Sequence, residues 1–270
     1  MRKINFTDVT IKNTGNLTFK EKIEMAKIMD RLNYGSIDMP EILNVQTDSL
    51  LIKTLALTLK ECRLVIPVGM NKDNILPIWE ALKAAKKPAL KVSLPVSTVG
   101  MEYVCHRKPQ KVLELITELV SECCKYCNNV EFEAEDATRA EYDFLLTALH
   151  SAIDAGANKI TICDSASATL PSEFGEFIAK LIKDIPELTT KHLTVYVSNE
   201  LNMAVAADFS AVLAGATEIK VSNKNIVEAV NVIDIRGGDL GIRTSIRKTE
   251  LGEGAILTLT SLIFNPLFYY

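Results

Sequence analysis

The sequence predicts an α/β fold of the closed (β/α)8 type, the TIM barrel, and three observations lead to this prediction. Strand-like and helix-like segments alternate along almost the whole chain, with short connections between them. Regular alternation of this kind implies parallel strands, because right-handed crossovers place each helix on the outer face of the sheet. The 270 residues also suit a single α/β barrel, which needs about 250. A doubly wound open sheet is the competing architecture, but no Gly-x-Gly-x-x-Gly motif follows a strand.

The strands are predicted from eight short runs of apolar or β-branched residues. Runs of this length that are bounded by polar residues are typical of strands in a parallel sheet, where both faces are covered. The eight runs are Ile4–Val9, Ser36–Met39, Leu64–Val68, Ala89–Val96, Val130–Glu133, Lys159–Cys163, Leu193–Val197 and Glu218–Val221.

The helices are predicted from apolar residues that recur every three or four positions between these runs. Pro109 and Pro171 each stand just before such a pattern, where proline suits the first turn of a helix. The clearest apolar stripes are Met25, Ile28, Met29 and Leu32; Val112, Leu115, Ile116, Leu119, Val120 and Cys123; and Phe174, Phe177, Ile178, Leu181 and Ile182.

Helix ends are predicted from capping residues. Thr18 with Glu21, and Thr138 with Glu141, have the spacing of a capping box, in which the hydroxyl accepts an N–H bond and the Glu reaches back. Glycine adopts the left-handed conformation that ends many helices without steric cost. Three glycines stand where predicted helices should end: Gly35, Gly156 and Gly215.

The domain organisation is predicted as a TIM barrel over residues 1–235 and a short C-terminal extension over residues 236–270. The run Arg-Gly-Gly-Asp-Leu-Gly that follows Ile235 is predicted to be a loop. The extension of about 35 residues is too short to form a second domain.

Composition excludes several classes of protein. Thirty basic and 34 acidic residues leave a net charge of −4, so nothing indicates a nucleic-acid partner. No run approaches the roughly 18 consecutive apolar residues of a membrane span, and the first residues lack the apolar stretch of a secretory peptide. Six cysteines are too few for a disulfide framework, which favours a reducing, cytoplasmic location.

Function in a barrel is expected at the C-terminal ends of the strands, where the βα loops lie. Polar and acidic residues follow the predicted strands here. They are Asp8–Asn13, Asp38, Glu133–Arg139, Asp164 with Ser165, Tyr196–Glu200 and Ser222 with Asn223.

These segments resemble motifs of the DRE-TIM metallolyase family, which includes isopropylmalate, homocitrate and citramalate synthases and hydroxymethylglutaryl-CoA lyase. The segment Glu133–Arg139, Glu-Ala-Glu-Asp-Ala-Thr-Arg, is similar to the family's S-A-E-D-A-T-R. The segment Ile162–Ser165 with Pro171–Gly175 resembles I-P-D-T…P-E-E-F-G, and Val195–Gly215 resembles V-H-C-H-N-D-L-G-L-A-V-A…A-G-A. The resemblance covers roughly residues 4 to 250.

The resemblance implies an enzyme that condenses acetyl-CoA with a 2-oxoacid, or one that catalyses the reverse cleavage. It also implies a divalent metal (Mg, Mn or Zn) that binds the oxoacid as a Lewis acid. In the family the metal ligands come from D-T-T-L-R-D on the first strand, from H-x-H on the seventh and from an Asn after the eighth.

The chain departs from the family at these same positions. Lys12 replaces the Arg and Asn13 replaces the ligating Asp. Tyr196 and Ser198 replace the two His residues, and Asn225 is the candidate for the remaining Asn. Neutral hydroxyl and amide oxygens hold a divalent ion weakly, so the sequence predicts no metal or other cofactor, only four vestigial ligand positions.

The remaining candidate residues follow from the same correspondence. Lys12 and Asp38, where Asp38 replaces a family Glu, are the predicted catalytic residues. Arg139, Ser165 and Glu135 are the predicted substrate-binding residues, since a guanidinium at the end of a strand can hold a carboxylate.

Three functions stay open from the sequence. The first is a degenerate subunit, of the omega type found in split homocitrate synthases, that forms a hetero-oligomer with a catalytic paralogue; a homo-oligomer is the other assembly expected. The second is a standalone, metal-independent aldol or Claisen-type enzyme that uses Lys12 as an electrophile or Schiff-base former. The third is an acyltransferase or lyase that binds a divalent metal weakly. Acetyl-CoA and a 2-oxoacid are the expected substrates if the chain is active.

Overall fold

The computed structural model describes residues 1–13, 17–42 and 45–246, without the side chains of residues 45–47, 223 and 224. The chain divides into two compact units. Unit 1 comprises Met1–Ile66, Glu80–Pro88 and Val221–Tyr270, and unit 2 comprises Pro67–Trp79 and Ala89–Lys220.

Eight parallel strands form a closed barrel in chain order, which confirms the predicted (β/α)8 architecture. Every run predicted as a strand forms one, within one or two residues of the predicted ends. The strands are β1 (Asn5–Asp8), β2 (Ser36–Asp38), β3 (Arg63–Pro67), β4 (Pro88–Pro95), β5 (Val130–Glu135), β6 (Lys159–Asp164), β7 (His192–Val197) and β8 (Glu218–Val221).

One long helix follows each strand in the described part of the chain. The helices are α1 (Phe19–Arg31), α2 (Val45–Thr58), α3 (Ile75–Leu82), α4 (Pro109–Cys124), α5 (Tyr142–Asp154), α6 (Pro171–Asp184), α7 (Ala204–Ala214) and α8 (Asn223–Leu240). Two shorter helices, Thr10–Asn13 and Thr98–Tyr103, follow β1 and β4. None of the helices in the described residues has both the length and the apolar character that a bilayer crossing requires.

The capping predictions hold at one helix and fail at another. At α1, the Thr18 hydroxyl accepts from the backbone N–H of Glu21, and the Glu21 carboxylate accepts from the backbone N–H of Thr18. At α5 the prediction is wrong, because Glu141 itself is the N-cap residue. Thr138 lies in a 3₁₀ turn instead and donates its hydroxyl proton to Asp164.

Two of the three glycine predictions are confirmed and one is wrong. Gly156 and Gly215 follow α5 and α7 with φ of 111° and 139°, as predicted for helix ends. Gly35 does not play this role, since Asn33 takes the left-handed conformation after α1, with φ of 64°. Gly35 instead allows close packing, because a Cβ there would lie 3.1 Å from the carbonyl oxygen of Phe6.

The loop predicted after Ile235 is wrong, because α8 continues through Gly237 and Gly238 to Leu240 and ends at Gly241, whose φ is 65°. The predicted boundary at residue 235 therefore falls inside a helix. Beyond it, Ile242–Arg243 pairs in parallel with Arg2–Lys3. The rest of the predicted extension, from residue 247, lies outside the described residues.

Buried apolar residues and buried charged residues alternate along β5 in unit 2. Val130, Phe132 and Ala134 are fully buried apolar residues, and the intervening Glu131 and Glu133 are buried charges. Because successive strand side chains point to opposite faces, one set packs under the helices and the other points into the barrel.

Six buried charges of unit 2 form one ion network inside the barrel. Lys220 of β8 contacts both Glu131 and Glu133 of β5, and since β5 and β8 are not neighbours in the sheet these contacts cross the barrel interior. The other members, Lys91, Lys159 and Glu218, join through Lys91–Glu133 at 3.1 Å, Lys159–Glu131 at 3.1 Å and Lys159–Glu218 at 2.7 Å. All six side chains are at most 5% exposed.

The network contains three cations and three carboxylates, so its formal charge is zero. Burial by itself would raise the pKa of Glu131, but the ammonium groups of Lys159 and Lys220 outweigh that effect and hold the pKa below its ordinary value. Removing one member leaves a buried charge without compensation, which typically costs 3–5 kcal/mol, about as much as a large core deletion.

We therefore expect Lys220→Met to lower the free energy of unfolding by about 3–5 kcal/mol, since Glu131 and Glu133 would lose a shared cation. Chemical denaturation would measure the change. Lys111→Met is the matched control, because Lys111 pairs with Glu114 on the surface, where loss of an ion pair costs less than about 1 kcal/mol. Equal effects of the two substitutions would show that the network does not stabilise the barrel.

Candidate functional site

In unit 1 the candidate residues lie at the C-terminal ends of β1 and β2. Asp8 ends β1 and is fully buried. Its carboxylate accepts a hydrogen bond from the backbone N–H of Thr10 at 2.8 Å and another from the Thr10 hydroxyl at 2.9 Å. These two bonds fix the carboxylate against the single helical turn Thr10–Asn13 that follows the strand.

Burial raises the pKa of Asp8 from 3.8 to about 7. The two bonds from Thr10 oppose this shift, and the nearby charge of Asp38 adds to it. Asp38 is itself fully buried at the end of β2. Asp8 can therefore hold a proton near neutral pH, chiefly because its burial disfavours the charged form.

The other predicted residues of unit 1 occupy positions close to their strand ends. Lys12 is half-buried and Asn13 is exposed, both on the turn after β1. Asn225 is 8% exposed in the first turn of α8, after β8. Asp8 was expected among the polar residues at the strand ends but was given no catalytic or binding role, although it ends an apolar strand just as Asp38 does.

In unit 2, Glu135 connects to the buried ion network through one hydroxyl. Ser93 Oγ lies 2.7 Å from Glu133 Oε1 and 2.6 Å from Glu135 Oε1. A serine hydroxyl has one proton to donate, so it serves one carboxylate at a time unless the second carboxyl carries a proton of its own. Glu133 is also paired with Lys91 and Lys220, so the half-buried Glu135 forms the outer end of this chain of contacts.

The structure brings Arg139 and Ser165 together on one residue, Asp136. The Arg139 guanidinium binds the Asp136 carboxylate with two hydrogen bonds, from Nε at 2.8 Å and from Nη2 at 2.7 Å. Ser165 Oγ accepts from the backbone N–H of Asp136 at 3.0 Å, and Ser97 donates to its carboxylate at 2.5 Å. Asp136 has φ of 57°, a left-handed conformation that Asp tolerates better than most residues. Arg139 and Ser165 thus hold a tight turn after β5.

Asp164 organises the next loop in the same manner. Its carboxylate accepts four hydrogen bonds, from the Thr138 hydroxyl, the Ala168 N–H, and both the N–H and the hydroxyl of Thr169. All four distances lie between 2.7 and 3.0 Å. Asp136 and Asp164 therefore shape the loops after β5 and β6, a role that is not evident from their positions in the sequence.

Tyr196 and Ser198 lie at the end of β7 and are both half-buried. They are two positions apart, so their side chains share one face of the strand. The Ser198 N–H donates to the Asp164 carbonyl at 2.9 Å, and its own carbonyl accepts from the Ser167 hydroxyl at 2.7 Å. Tyr196 and Ser198 therefore have the two-residue spacing that the resemblance assigns to an H-x-H pair, with a phenol and a hydroxyl in place of the imidazoles.

The donor set does not fit the divalent metal that the resemblance implies. The corresponding positions offer two amides, Asn13 and Asn225, in unit 1, and a phenol and a hydroxyl, Tyr196 and Ser198, in unit 2. Neutral oxygens of this kind are poor substitutes for carboxylate and imidazole ligands. Across residues 1–13, 17–42 and 45–246, no group of three or more His, Cys, Asp and Glu side chains could hold a metal ion.

Comparison with known proteins identifies the lineage. The model of the HMGL-like family matches residues 10–228, which is most of the chain. The chain belongs to the HMGL-like family. This HMGL-like chain is 31% identical to the 2-isopropylmalate synthase of Pyrococcus furiosus over 281 residues, and 31% identical to that of Geobacillus sp. over 233 residues. These alignments cover 98% and 84% of the chain but only 56% and 45% of the relatives, so the chain spans about half the length of the synthases it matches.

Solved structures confirm the fold of this HMGL-like chain. The HMG-CoA lyase of Brucella melitensis superposes with a TM-score of 0.78 at 11% identity and covers 97% of this chain and 99% of that one. An HMG-CoA lyase from A. baumannii, solved with coenzyme A and 3-methylmalate, gives 0.76 at 14% identity, with 97% and 91% coverage. At identities this low, the structural matches show only that the architecture is shared. Membership of the family rests on the match to the family model.

The raised pKa of Asp8 predicts how stability depends on pH. Because its folded pKa is about 7 and its ordinary value is 3.8, the folded state binds the extra proton, and stability falls as pH rises from about 4 to 7. Asp8→Asn removes this titration. We expect the variant to gain stability relative to wild type across that window, by about 2–4 kcal/mol at pH 8.

Denaturation at pH 4.5, 6 and 8 would measure this difference between wild type and variant. Asp154→Asn is the matched control, since Asp154 is exposed at the end of α5 and a surface substitution typically changes stability by less than about 0.5 kcal/mol. A gain for Asp8→Asn that is equal at all three values would contradict the assignment.

Proposed function

We propose that this HMGL-like chain is a degenerate barrel subunit of an acyl-CoA and 2-oxoacid condensing enzyme, which supports a paralogue that retains the metal ligands. The observation that carries the proposal is the contrast between scaffold and site. The barrel is complete, whereas Asn13, Tyr196 and Ser198 occupy positions that the family resemblance assigns to an Asp and two His ligands. Homology to 2-isopropylmalate synthases supplies the class of enzyme.

The contacts of the remaining candidate residues support a scaffolding role. Two guanidinium nitrogens of Arg139 are engaged by Asp136, and Ser165 accepts from the backbone of the same residue. Both side chains therefore keep the loop after β5 in shape. Ser93 contacts both Glu135 and Glu133 of the ion network, and these contacts fix the position of Glu135.

Lys12 favours a second candidate function, a metal-independent aldol or Claisen-type reaction. This lysine is half-buried on the turn after β1, close in sequence to the buried Asp8. A partly desolvated amine of this kind is suited to condense with a 2-oxoacid carbonyl. Borohydride trapping with pyruvate, followed by peptide mass spectrometry, tests it; the absence of an adduct at Lys12 excludes this candidate.

The loss of ligands at β7 leads to a prediction about metal affinity. We expect the double variant Tyr196→His, Ser198→His to bind Zn²⁺ at least about tenfold more tightly than wild type, because two imidazoles on one strand face can chelate the ion. Isothermal titration calorimetry would measure both affinities. Tyr196→Phe, Ser198→Ala is the matched control and should show no gain. If the double His variant shows no gain either, the loss of imidazoles at β7 does not explain the lost site.

The supporting role itself predicts association. We expect the full chain, co-expressed with an intact 2-isopropylmalate or homocitrate synthase from the same organism, to co-purify with it and to change its kcat or KM. Size-exclusion chromatography with light scattering would give the stoichiometry, and acetyl-CoA consumption would give the rates. A chain that neither associates with any intact paralogue nor alters its kinetics would refute the proposed function.

A further inference from the structure

Two buried polar atoms on neighbouring strands of unit 1 make no hydrogen bond. They are Oγ of Ser36, the first residue of β2, and Nε of Arg63, the first residue of β3. Ser36 pairs with Arg63 in the parallel register, so the two side chains leave the same face of the sheet, about 5 Å apart where they begin. Both residues lie at the N-terminal ends of their strands, whereas Asp8 and Asp38 lie at the C-terminal ends.

The burial of these two atoms distinguishes them from ordinary surface groups. Most buried polar groups in folded proteins have a partner, so an unpaired one calls for an explanation. Ser36 is fully buried, which keeps bulk water away from its hydroxyl. Arg63 is half-buried, so a ligand can reach its side chain from solvent although Nε itself is shielded. An exposed cation donates to water, whereas this N–H and this hydroxyl need an acceptor that enters between the two strands.

The carboxylates near the start of β3 do not supply that acceptor. Asp30 accepts from the backbone N–H groups of Glu61 and Cys62, at 2.8 and 2.7 Å. The carboxylate of Glu61 lies 3.7 Å from Nζ of Lys87. In the described part of the chain, no carboxylate lies within ion-pair distance of Arg63. Among these residues the guanidinium charge therefore has no partner, and it stands beside a buried hydroxyl.

Local hydrogen bonds hold the two residues in place before any ligand binds. The backbone N–H of Arg63 donates to the carbonyl of Gly35 at 3.0 Å. The thiol of Cys62 donates to the carbonyl of Tyr34 at 3.1 Å. These two bonds link the residues just before β2 to the start of β3, so the separation of Ser36 and Arg63 is fixed by the backbone.

We infer that Arg63 and Ser36 bind a small tetrahedral oxyanion of the phosphate type at the N-terminal ends of β2 and β3. A guanidinium donates from Nε and Nη to two oxygens of one anion, which adds geometric specificity to the attraction of charges. The Ser36 hydroxyl supplies a further donor from the neighbouring strand. A planar carboxylate has only two oxygens and chloride is a single point of charge, so three donors on two strands fit a tetrahedral group best.

This inference goes beyond the proposed function. Catalysis in barrels takes place at the C-terminal ends of the strands, so an anion at the N-terminal ends would stabilise unit 1 and would not react. Binding to the full chain alone tests the anion site, whereas co-purification and kinetics test the supporting role. Either one can therefore fail without the other.

The experiment is a calorimetric titration of the full chain with inorganic phosphate, and with acetate as the planar comparison, at constant ionic strength. We expect phosphate to bind at one site and acetate to bind at least about tenfold more weakly. Arg63→Gln should weaken phosphate binding at least about tenfold, because it removes the charge and the paired donors. Arg63→Lys keeps the charge but loses the fork, so it should also weaken binding. Circular dichroism would confirm that each variant is folded.

Arg31→Gln is the matched control for the loss of one positive charge. Arg31 is exposed in the last turn of α1, so its substitution should change phosphate affinity less than about twofold. Methyl phosphate is a further probe, which separates two sources of the same group. Tighter binding of methyl phosphate than of inorganic phosphate would identify a phosphomonoester as the ligand, and the reverse order would identify the free anion.

Ser36→Ala separates anion binding from a structural role of the hydroxyl. The variant should weaken phosphate binding about threefold or more. In phosphate-free buffer it should leave the melting temperature unchanged or raise it, because an unpaired buried hydroxyl is removed. Tyr34→Phe is the matched control, since its buried hydroxyl also makes no hydrogen bond in the described structure, but it interacts electrostatically with Asp8 and Cys62. This control should leave phosphate affinity unchanged.

Four results would each overturn the inference. They are no detectable phosphate binding, equal affinity for phosphate and acetate, unaltered phosphate affinity in folded Arg63→Gln or Ser36→Ala, and a lower melting temperature of phosphate-free Ser36→Ala. The last result would show that the hydroxyl serves the fold itself.

Discussion

The structure of unit 2 depends on one constraint, the neutrality of the ion network buried inside the barrel. Three lysines and three glutamates occupy the interior positions of β4, β5, β6 and β8, where most barrels place apolar layers. Each charge is tolerable only while its partners are present, because an isolated buried ion is far more costly than an apolar side chain. The six residues therefore act as one unit, and the strand register must bring them together. Ser93 opposite Glu133 and Lys91 opposite Glu131 show this register directly.

The same network reaches the loops where function is expected. Glu133 contacts Ser93, which contacts Glu135, and the next residue, Asp136, holds Arg139 and Ser165 in a tight turn. A connected series of hydrogen bonds and ion pairs thus fixes the side chains from the buried interior to the end of β5. The protein's own carboxylates and hydroxyls supply this order.

The sequence predicts the barrel well because its signal is periodic and redundant. Each of eight strands and its helix repeats the same pattern, so an error at one end changes little. The errors lie where a residue's role depends on a distant partner. Gly237 indicated a loop, but a Cβ there would lie 2.7 Å from the carbonyl oxygen of Ile242, so the glycine permits close packing inside a helix. Thr138 had capping spacing, yet the Asp164 carboxylate from the next strand engages its hydroxyl.

The types of residue at the candidate site were predictable from the sequence, because the repeating pattern that locates the strands also locates the residues that follow them. Their partners, such as Asp136 for Arg139, were not, because pairing depends on side-chain geometry.

The relation between scaffold and site bears on why such a chain would persist. Selection for a metal-dependent reaction would preserve the ligand positions first, since ligand identity controls affinity and chemistry more strongly than barrel packing does. In this chain the closed barrel and the loop-shaping aspartates are in place, whereas the positions that the family resemblance assigns to metal ligands carry neutral oxygens. Under the proposed function such a fold would be selected for its shape or its surfaces, because a supporting subunit contributes structure to a partner whose own residues supply the chemistry.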